Sequence, residues 1–313
     1  MKKTILATML TSLFAATTAY SATMHDADGI TLELFGEIEL QYVNDLEEDE
    51  DAIIDIDEAT FGVEAGYDIT DDITAIGVVS FDASDDDDNN SNAVLDDAYV
   101  GFSSANYGTI TIGQQVTIFD DAGIGSDFEF GLASFYEQND NGEQVIKYTI
   151  DKGNAYGGIA YLLDNGESDD GLDAIDAKLG VRFGGADLTA FYGQGELENG
   201  GDVKNLNLEA RYTIDALTLA AAYATVSSDD DNSDMDNYGL AATYQLNKAQ
   251  FAAGWSLTEL DSGSSINDGD NFNSYFVNVS YSFITNVTAY AEIGGNDQDD
   301  TELGYVAGMN ITF

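Results

Sequence analysis

Ionisable side chains that alternate with apolar ones are the residues of this sequence best suited to act on solutes. Because the side chains of a β-strand point to opposite faces with a period of two, such carboxylates should share one face. The acids assigned to this face are Glu33, Glu37, Glu39, Glu64, Asp176, Glu209, Glu292 and Glu302. The bases assigned to it are Lys147, Lys178, Arg182 and Arg211. A wet surface lined by acids attracts cations and repels anions, so the pattern predicts selection by charge.

Residues for bond-making chemistry are scarce. The sequence has no Cys and one His, His25, which lies near the start of the chain, where order is often poor. It has no phosphate-binding glycine loop, and no carboxylate pair stands out among the 59 acidic residues. We therefore predict that the protein is not an enzyme and has no cofactor. Acidic runs such as Asp85–Asp88 lack the spacing of a calcium loop, so they predict only weak binding of Ca²⁺ or Mg²⁺.

The net charge limits the possible partners. A formal charge of −50 argues against nucleic acid, because phosphate binding needs clustered Lys and Arg. The chain is nevertheless 44% hydrophobic and 11% aromatic, which indicates a folded protein rather than an acidic disordered one.

The elements that must position the charged face are short alternating segments. Segments of about ten residues recur along the chain and are separated by connections that alternate between short and long. The predicted short turns are at Asp71-Asp72, Gly184-Gly185, Ile214-Asp215 and Thr285-Asn286. The long acidic connections include 82–93, 164–172, 227–236 and 261–270. Short periplasmic turns and long outer loops in this order are typical of transmembrane barrels. Alternation alone is also compatible with a soluble β-protein.

The first 21 residues predict a secretory signal peptide. Lys2 and Lys3 precede an apolar run from Ile5 to Ala16, and small residues follow it. This run is shorter than the roughly 20 residues of a spanning helix. We predict cleavage after Ser21, with cleavage after Ala22 as the alternative, and a single barrel over residues 22–313.

The last nine residues predict the strand that closes the barrel. Tyr305, Ala307, Met309, Ile311 and Phe313 share one face, and small or polar residues share the other. The aromatic residue at position 313 resembles the assembly signal of Gram-negative outer-membrane barrels. We expect this strand to pair with residues 30–43.

One connection differs from the others. After the strand-like segment Gly108–Gln115, residues 116 to 143 form a longer stretch that is apolar as well as acidic. A loop that contains this much Phe and Ile is expected to pack on the rest of the protein.

Several short motifs together resemble the general porins of Gram-negative outer membranes, in particular those of vibrio-like marine bacteria. The motifs are Thr60–Gly66 followed by Asp71–Ala75, Ala98–Phe102, Tyr107–Gln115, Glu129–Gly131 and Val145–Tyr148. The resemblance implies an all-β, antiparallel transmembrane barrel of about 16 strands that forms a homotrimer in the outer membrane. Lipopolysaccharide is a further expected partner, because divalent cations at the acidic loops can bridge to anionic lipid A. It also implies that the third loop folds into the lumen and narrows the pore.

The sequence departs from the porin pattern in its wall arginines. In the family, arginines on the wall face the acidic third loop, but here no Lys or Arg lies between Ala22 and Ile146. At the positions where the resemblance implies bases, the sequence has Thr60, an acid that is either Asp96 or Asp97, and Gln114, and only Lys147 keeps a base. The acids predicted to line the constriction are Asp120, Asp121, Asp127 and Glu129.

We therefore predict a water-filled, cation-selective channel for ions and small hydrophilic solutes. Two alternatives remain: a channel specific for one cationic solute, and a surface adhesion or structural barrel with a plugged lumen. Single-channel conductance separates the open pore from the plugged barrel.

Overall fold

The computed structural model describes residues 21–47, 51–84, 93–132, 141–163, 173–196, 202–228, 234–260 and 270–313. Within these ranges the chain is built almost entirely of β-strands. The strands are β1 Ala22–Ala27, β2 Ile30–Asn44, β3 Ile53–Thr70, β4 Ile73–Asp82, β5 Val94–Ser104, β6 Gly108–Val116, β7 Asn141–Asp151, β8 Ala155–Leu162, β9 Ala174–Phe183, β10 Ala186–Glu196, β11 Asp202–Ile214, β12 Leu217–Ser228, β13 Met235–Leu246, β14 Ala249–Leu260, β15 Phe272–Ile284, β16 Val287–Asn296 and β17 Gly304–Thr312. A 3-10 helix spans Phe119–Asp121. No helix in the described ranges has the length and apolar character needed to cross a membrane.

Strands β2 to β17 form a closed antiparallel barrel. Each strand pairs with the next along the chain, and β17 pairs with β2. The barrel therefore has 16 strands, with β1 as a short addition. The predicted all-β fold and strand number are confirmed, whereas the separate strand β1 was not predicted.

Short turns occupy one end of the barrel. Those at Asp71-Asp72, Gly184-Gly185 and Thr285-Asn286 lie where they were predicted, and the fourth lies one residue later, at Asp215-Ala216. The turn at Asp28-Gly29 has positive φ at both residues (58° and 73°), the backbone of a two-residue hairpin turn of type I′. Most of the predicted acidic connections 82–93, 164–172 and 261–270, including Asp85–Asp88, and half of the connection 227–236 lie outside the described residues.

The alternation of the sequence divides the wall into two faces. On β17, Tyr305, Met309 and Ile311 are exposed on the outside, whereas Val306 is buried on the inside. Because the outer face of the barrel meets lipid, exposed Leu, Ile, Val, Tyr and Phe side chains on most strands are expected there.

The closing strand pairs with less of β2 than was predicted. β17 pairs with Glu37–Asn44, and β1 pairs with Ile30–Leu34 along the same edge. The prediction of pairing across residues 30–43 was therefore wrong for the first part of that range. The reason is the hairpin turn at Asp28-Gly29, which folds β1 back so that it pairs with Ile30–Leu34.

Candidate pore constriction

The long connection after β6 contacts inward-facing side chains of the wall at both ends of its described part. At its start, Ile118 and Phe119 are buried against Val145, Ala160 and Phe191. The rings of Phe119 and Phe191 lie 5.9 Å apart, which is within the range of favourable aromatic contacts. The apolar residues that set this segment apart in the sequence therefore pack on the wall of β7, β8 and β10.

Further along the segment, two more phenylalanines pack on the opposite part of the wall. The ring of Phe128 is stacked on that of Tyr290, with centroids 3.9 Å apart and an interplanar angle of 7°. Phe130 is buried in a cluster with Val43, Phe276 and Val306. Residues 117–132 thus contact β2 and β15–β17 as well as β7–β11.

Three buried carboxylates on the wall bind main-chain N–H groups of this segment. Asp176 on β9 accepts from the N–H groups of Ile118 and Phe119, both at 2.8 Å. Glu209 on β11 accepts from Gly123 N–H at 2.7 Å. Glu292 on β16 accepts from Phe128, Glu129 and Phe130 N–H at 2.9, 2.9 and 2.7 Å. Each carboxylate supplies charge-assisted hydrogen bonds to groups that lack a strand partner.

The four acids predicted for the constriction lie in this segment but have different surroundings. Asp121 forms an ion pair with Lys178, and Asp120 is its neighbour in the 3-10 helix. Asp127 and Glu129 are exposed, and Glu129 accepts a hydrogen bond from Gln41 Nε2 at 3.0 Å. Partial desolvation is the largest cause that raises the pKa of both carboxyls, and the charge of Glu292 raises both further.

All four bases predicted to face inward do so, and each has a partner. Lys147 is buried and donates to Val116 O at 2.6 Å. Lys178 pairs with Asp121. Arg211 pairs with Glu209 at 2.7 Å and also donates to Gly123 O.

Arg182 lies near the short-turn end of the barrel. It pairs with Asp151 at 2.7 Å and with Asp187 at 3.1 Å, and its guanidinium lies 3.9 Å from the ring centroid of Tyr156. Like the other three bases, it is therefore close to a compensating acid or a main-chain carbonyl.

The inner face of β2 to β5 carries acids and no base. On β2, Glu33 accepts from Ser21 Oγ at 2.5 Å and lies opposite Glu64, while Glu37 lies opposite Thr60. Further along, Glu39 lies opposite Glu58. The main-chain N–H of Asp97 donates to Ser80 Oγ at 2.9 Å. These acids lie on a part of the wall that contains no base, because the sequence has no Lys or Arg between Ala22 and Ile146.

Strict alternation missed the inward acid Asp57 and misassigned Glu302. A register shift follows the pair of Glu39 and Glu58. It brings the carboxylate of Asp57, the residue before Glu58, within 3.1 Å of Gln41 Nε2. Such a bulge places an extra residue in the strand and breaks the period of two, so the sequence pattern gave no signal for Asp57. Glu302 was wrongly assigned to the lumen, because it lies in the exposed connection before β17.

The described residues contain no group of three or more His, Cys, Asp or Glu side chains placed to hold a metal ion.

The outward aromatic residues of the closing strand have defined contacts. The rings of Tyr305 and Tyr42 lie 6.4 Å apart, and Phe313 exchanges main-chain hydrogen bonds with Gly36.

Comparisons with known proteins agree with this architecture. The family model described as Gram-negative porin matches residues 7–301. The porin-like protein H of Photobacterium profundum is 34% identical over the full length of both chains. Among solved structures, the trimer form of in-vitro folded OmpT of Vibrio cholerae has a TM-score of 0.73 at 20% identity, covering 91% of this chain and 100% of that one. An anion-selective porin from Comamonas acidovorans has a TM-score of 0.74 at 14% identity, with the same coverage.

These two structures are similar to the chain in fold alone. The family model, in contrast, spans nearly all of the sequence, and the Photobacterium relative spans all of it. The chain therefore belongs to the Gram-negative porin family and is an integral protein of the outer membrane.

Proposed function

We propose that the protein forms a water-filled channel that lets ions and small hydrophilic solutes diffuse passively across the outer membrane, with a preference for cations. Residues 117–132 narrow this channel, and Asp120, Asp127 and Glu129 contribute negative charge at the narrowing. Asp121 contributes less, because Lys178 compensates its charge.

The observation that carries this proposal is the distribution of charge on the wall. The inner face of β2 to β5 is acidic without a base, and the four inward bases lie on β7, β9 and β11, next to acids or carbonyl oxygens. Uncompensated carboxylates in a pore with low-dielectric walls concentrate cations and repel anions. The anion-selective structure shares the fold at 14% identity, so its selectivity does not carry over.

The test is the zero-current potential of the purified protein in planar bilayers separating two KCl concentrations. We expect stable open steps and a potential of the sign that marks cation preference. Replacing Glu37, Glu39 and Glu58 together by Gln is expected to weaken that preference. A reversal potential showing anion preference would contradict the selectivity, and the absence of open steps would favour a plugged structural or adhesion barrel.

Solute range needs a separate measurement. Liposome swelling is expected to depend on solute size and charge without saturation. Swelling that saturates with a single class of cationic solute would instead favour a substrate-specific channel.

The remaining parts of the proposal concern processing and assembly. We propose that residues 1–21 are removed as a signal peptide and that the mature chain forms a homotrimer in contact with lipopolysaccharide, as the trimer form of OmpT and the family suggest. Weak binding of Ca²⁺ or Mg²⁺ to acidic loops belongs to the same proposal. N-terminal sequencing tests the removal of the signal peptide, and the mass of detergent-solubilised particles tests the homotrimer.

A further inference from the structure

Two strands of the wall carry the same short pattern of side chains. On β9, Asp176, Ala177 and Lys178 follow one another, and on β11, Glu209, Ala210 and Arg211 do so. In each triplet the acid and the base point into the barrel, where they contact the loop segment. Each strand therefore presents a negative and a positive group, two residues apart, to the same side.

The first pair holds the beginning of the loop segment by a donor and by an acceptor. Asp176 accepts from the N–H groups of Ile118 and Phe119, and Lys178 binds the carboxylate of Asp121. Asp176 and Lys178 are 7% and 6% exposed, so these charged contacts are shielded from water.

The second pair holds both main-chain groups of a single residue. Glu209 accepts from Gly123 N–H at 2.7 Å, and Arg211 donates to Gly123 O. Glu209 and Arg211 are also paired with each other at 2.7 Å, and Asn207 Nδ2 donates to Glu209 at 2.7 Å. Two wall side chains, Arg211 and Asn207, thereby fix the carboxylate that binds the loop.

We propose that these two acid–Ala–base triplets are positioning elements that fix residues 118–123 against the wall and so set the width of the pore. This inference rests on the proposed constriction. It assigns Asp176, Lys178, Glu209 and Arg211 to holding the loop rather than to direct contact with permeating ions. It also gives Lys178 and Arg211 a role on an otherwise acidic wall. Both bases bind the loop segment, Lys178 through Asp121 and Arg211 through Gly123 O.

The direct test is hydrogen–deuterium exchange at the amides that the acids bind. In Asp176→Asn, exchange at Ile118 and Phe119 should accelerate about tenfold, as expected for the loss of a charge-assisted hydrogen bond. In Glu209→Gln, the same acceleration is expected at Gly123. Glu64→Gln is the matched control, because it removes one inward acid for which the described residues show no hydrogen bond to the loop, and its exchange at residues 118–123 should equal that of the wild type.

A charge exchange tests the base of the first triplet. Asp121→Lys and Lys178→Asp should each accelerate exchange across residues 118–123, and the double variant should restore it. Unchanged exchange in all these variants would overturn the proposal, as would equal acceleration in the Glu64→Gln control.

Single-channel recording then connects the loop to the pore. Asp176→Asn and Glu209→Gln should increase brief current fluctuations relative to Glu64→Gln, whatever the ion preference of the channel. An anion-preferring wild type with slow exchange at these amides would contradict the proposed selectivity and leave the positioning role supported. Fast exchange at these amides in a cation-preferring wild type would support the proposed selectivity and contradict the positioning role.

Discussion

Gly36 and Phe313 bind each other through both of their main-chain groups, with an N–O distance of 2.9 Å in each direction. The ring of Phe313 occupies the space next to Gly36 that a side chain at this position would need. A Cβ at position 36 would be 2.5 Å from Phe313 Cζ and 2.8 Å from the carbonyl oxygen of Thr60. The aromatic residue at position 313 is thus seated in a place that only a glycine on β2 leaves open.

Replacing Gly36 by Ala is expected to destabilise the closed barrel. The new methyl group meets a ring on one side and a main-chain oxygen on the other, and overpacking of this kind costs roughly 1–3 kcal/mol. The measurement is the free energy of unfolding in detergent micelles, followed by the loss of strand signal in urea.

Gly77→Ala is the control for this substitution, because a Cβ there would be 3.7 Å from its nearest neighbour, an ordinary contact. A double-mutant cycle with Phe313→Ala separates the two contacts at Gly36. If Gly36→Ala costs as much in the Phe313→Ala background as in the wild type, the ring is not what excludes a side chain.

Most of the barrel could be predicted from the sequence because its signals are local. Alternation with a period of two fixes which residues face lipid, and short turn signals such as Asp71-Asp72 fix where strands reverse. The hairpin that places β1 beside Ile30–Leu34 was missed. Its Asp-Gly turn carries the type I′ preference, but β1 lies next to the predicted cleavage site and has few alternating residues.

The pairing of Lys178 with Asp121 makes opposite predictions for the two single substitutions. Lys178→Met leaves the Asp121 carboxylate uncompensated in the lumen and should increase cation preference. Asp121→Asn leaves the lysine uncompensated and should decrease it. Reversal potentials in a KCl gradient measure both.

The double variant Lys178→Met with Asp121→Asn should return close to the wild-type potential, because the pair contributes little net charge. Shifts of the same sign in both single variants would show that the two side chains are not paired in the open channel.

The site was less predictable than the fold because its charges act across the barrel. Alternation placed Asp176, Glu209 and Glu292 on the inner face, but it gave no sign that they bind main-chain N–H groups of the loop. Those contacts join residues far apart in sequence, and they depend on the course of the loop rather than on its composition. Asp57 was missed for a local reason, the bulge after Glu39.

Glu292→Gln should weaken the binding of the loop segment near Phe130. The carboxylate is 1% exposed, and it accepts from three successive main-chain N–H groups and from Asn278 Nδ2 at 2.8 Å. An amide turns one acceptor into a donor that faces other donors, so a loss of roughly 2 kcal/mol in the free energy of unfolding is expected. Urea unfolding in micelles measures this loss. Glu64→Gln is again the control, and equal losses in the two variants would contradict a special role for Glu292.

Cation preference should decrease on acidification at a higher pH than ordinary carboxylates would allow. Partial desolvation raises the pKa of Asp127 and Glu129 above the usual 3.8 and 4.5, so both lose their charge earlier as the pH falls. A raised folded-state pKa also means that protonation of these two groups favours the folded state, and that their contribution to stability is lost as the pH rises through the raised pKa. The early decrease in preference should therefore occur without loss of strand signal in circular dichroism. Reversal potentials across a pH series measure the midpoint. The variant Asp127→Asn with Glu129→Gln should start from a weaker preference and show a smaller early decrease, and an unchanged titration in this variant would assign the effect to other acids.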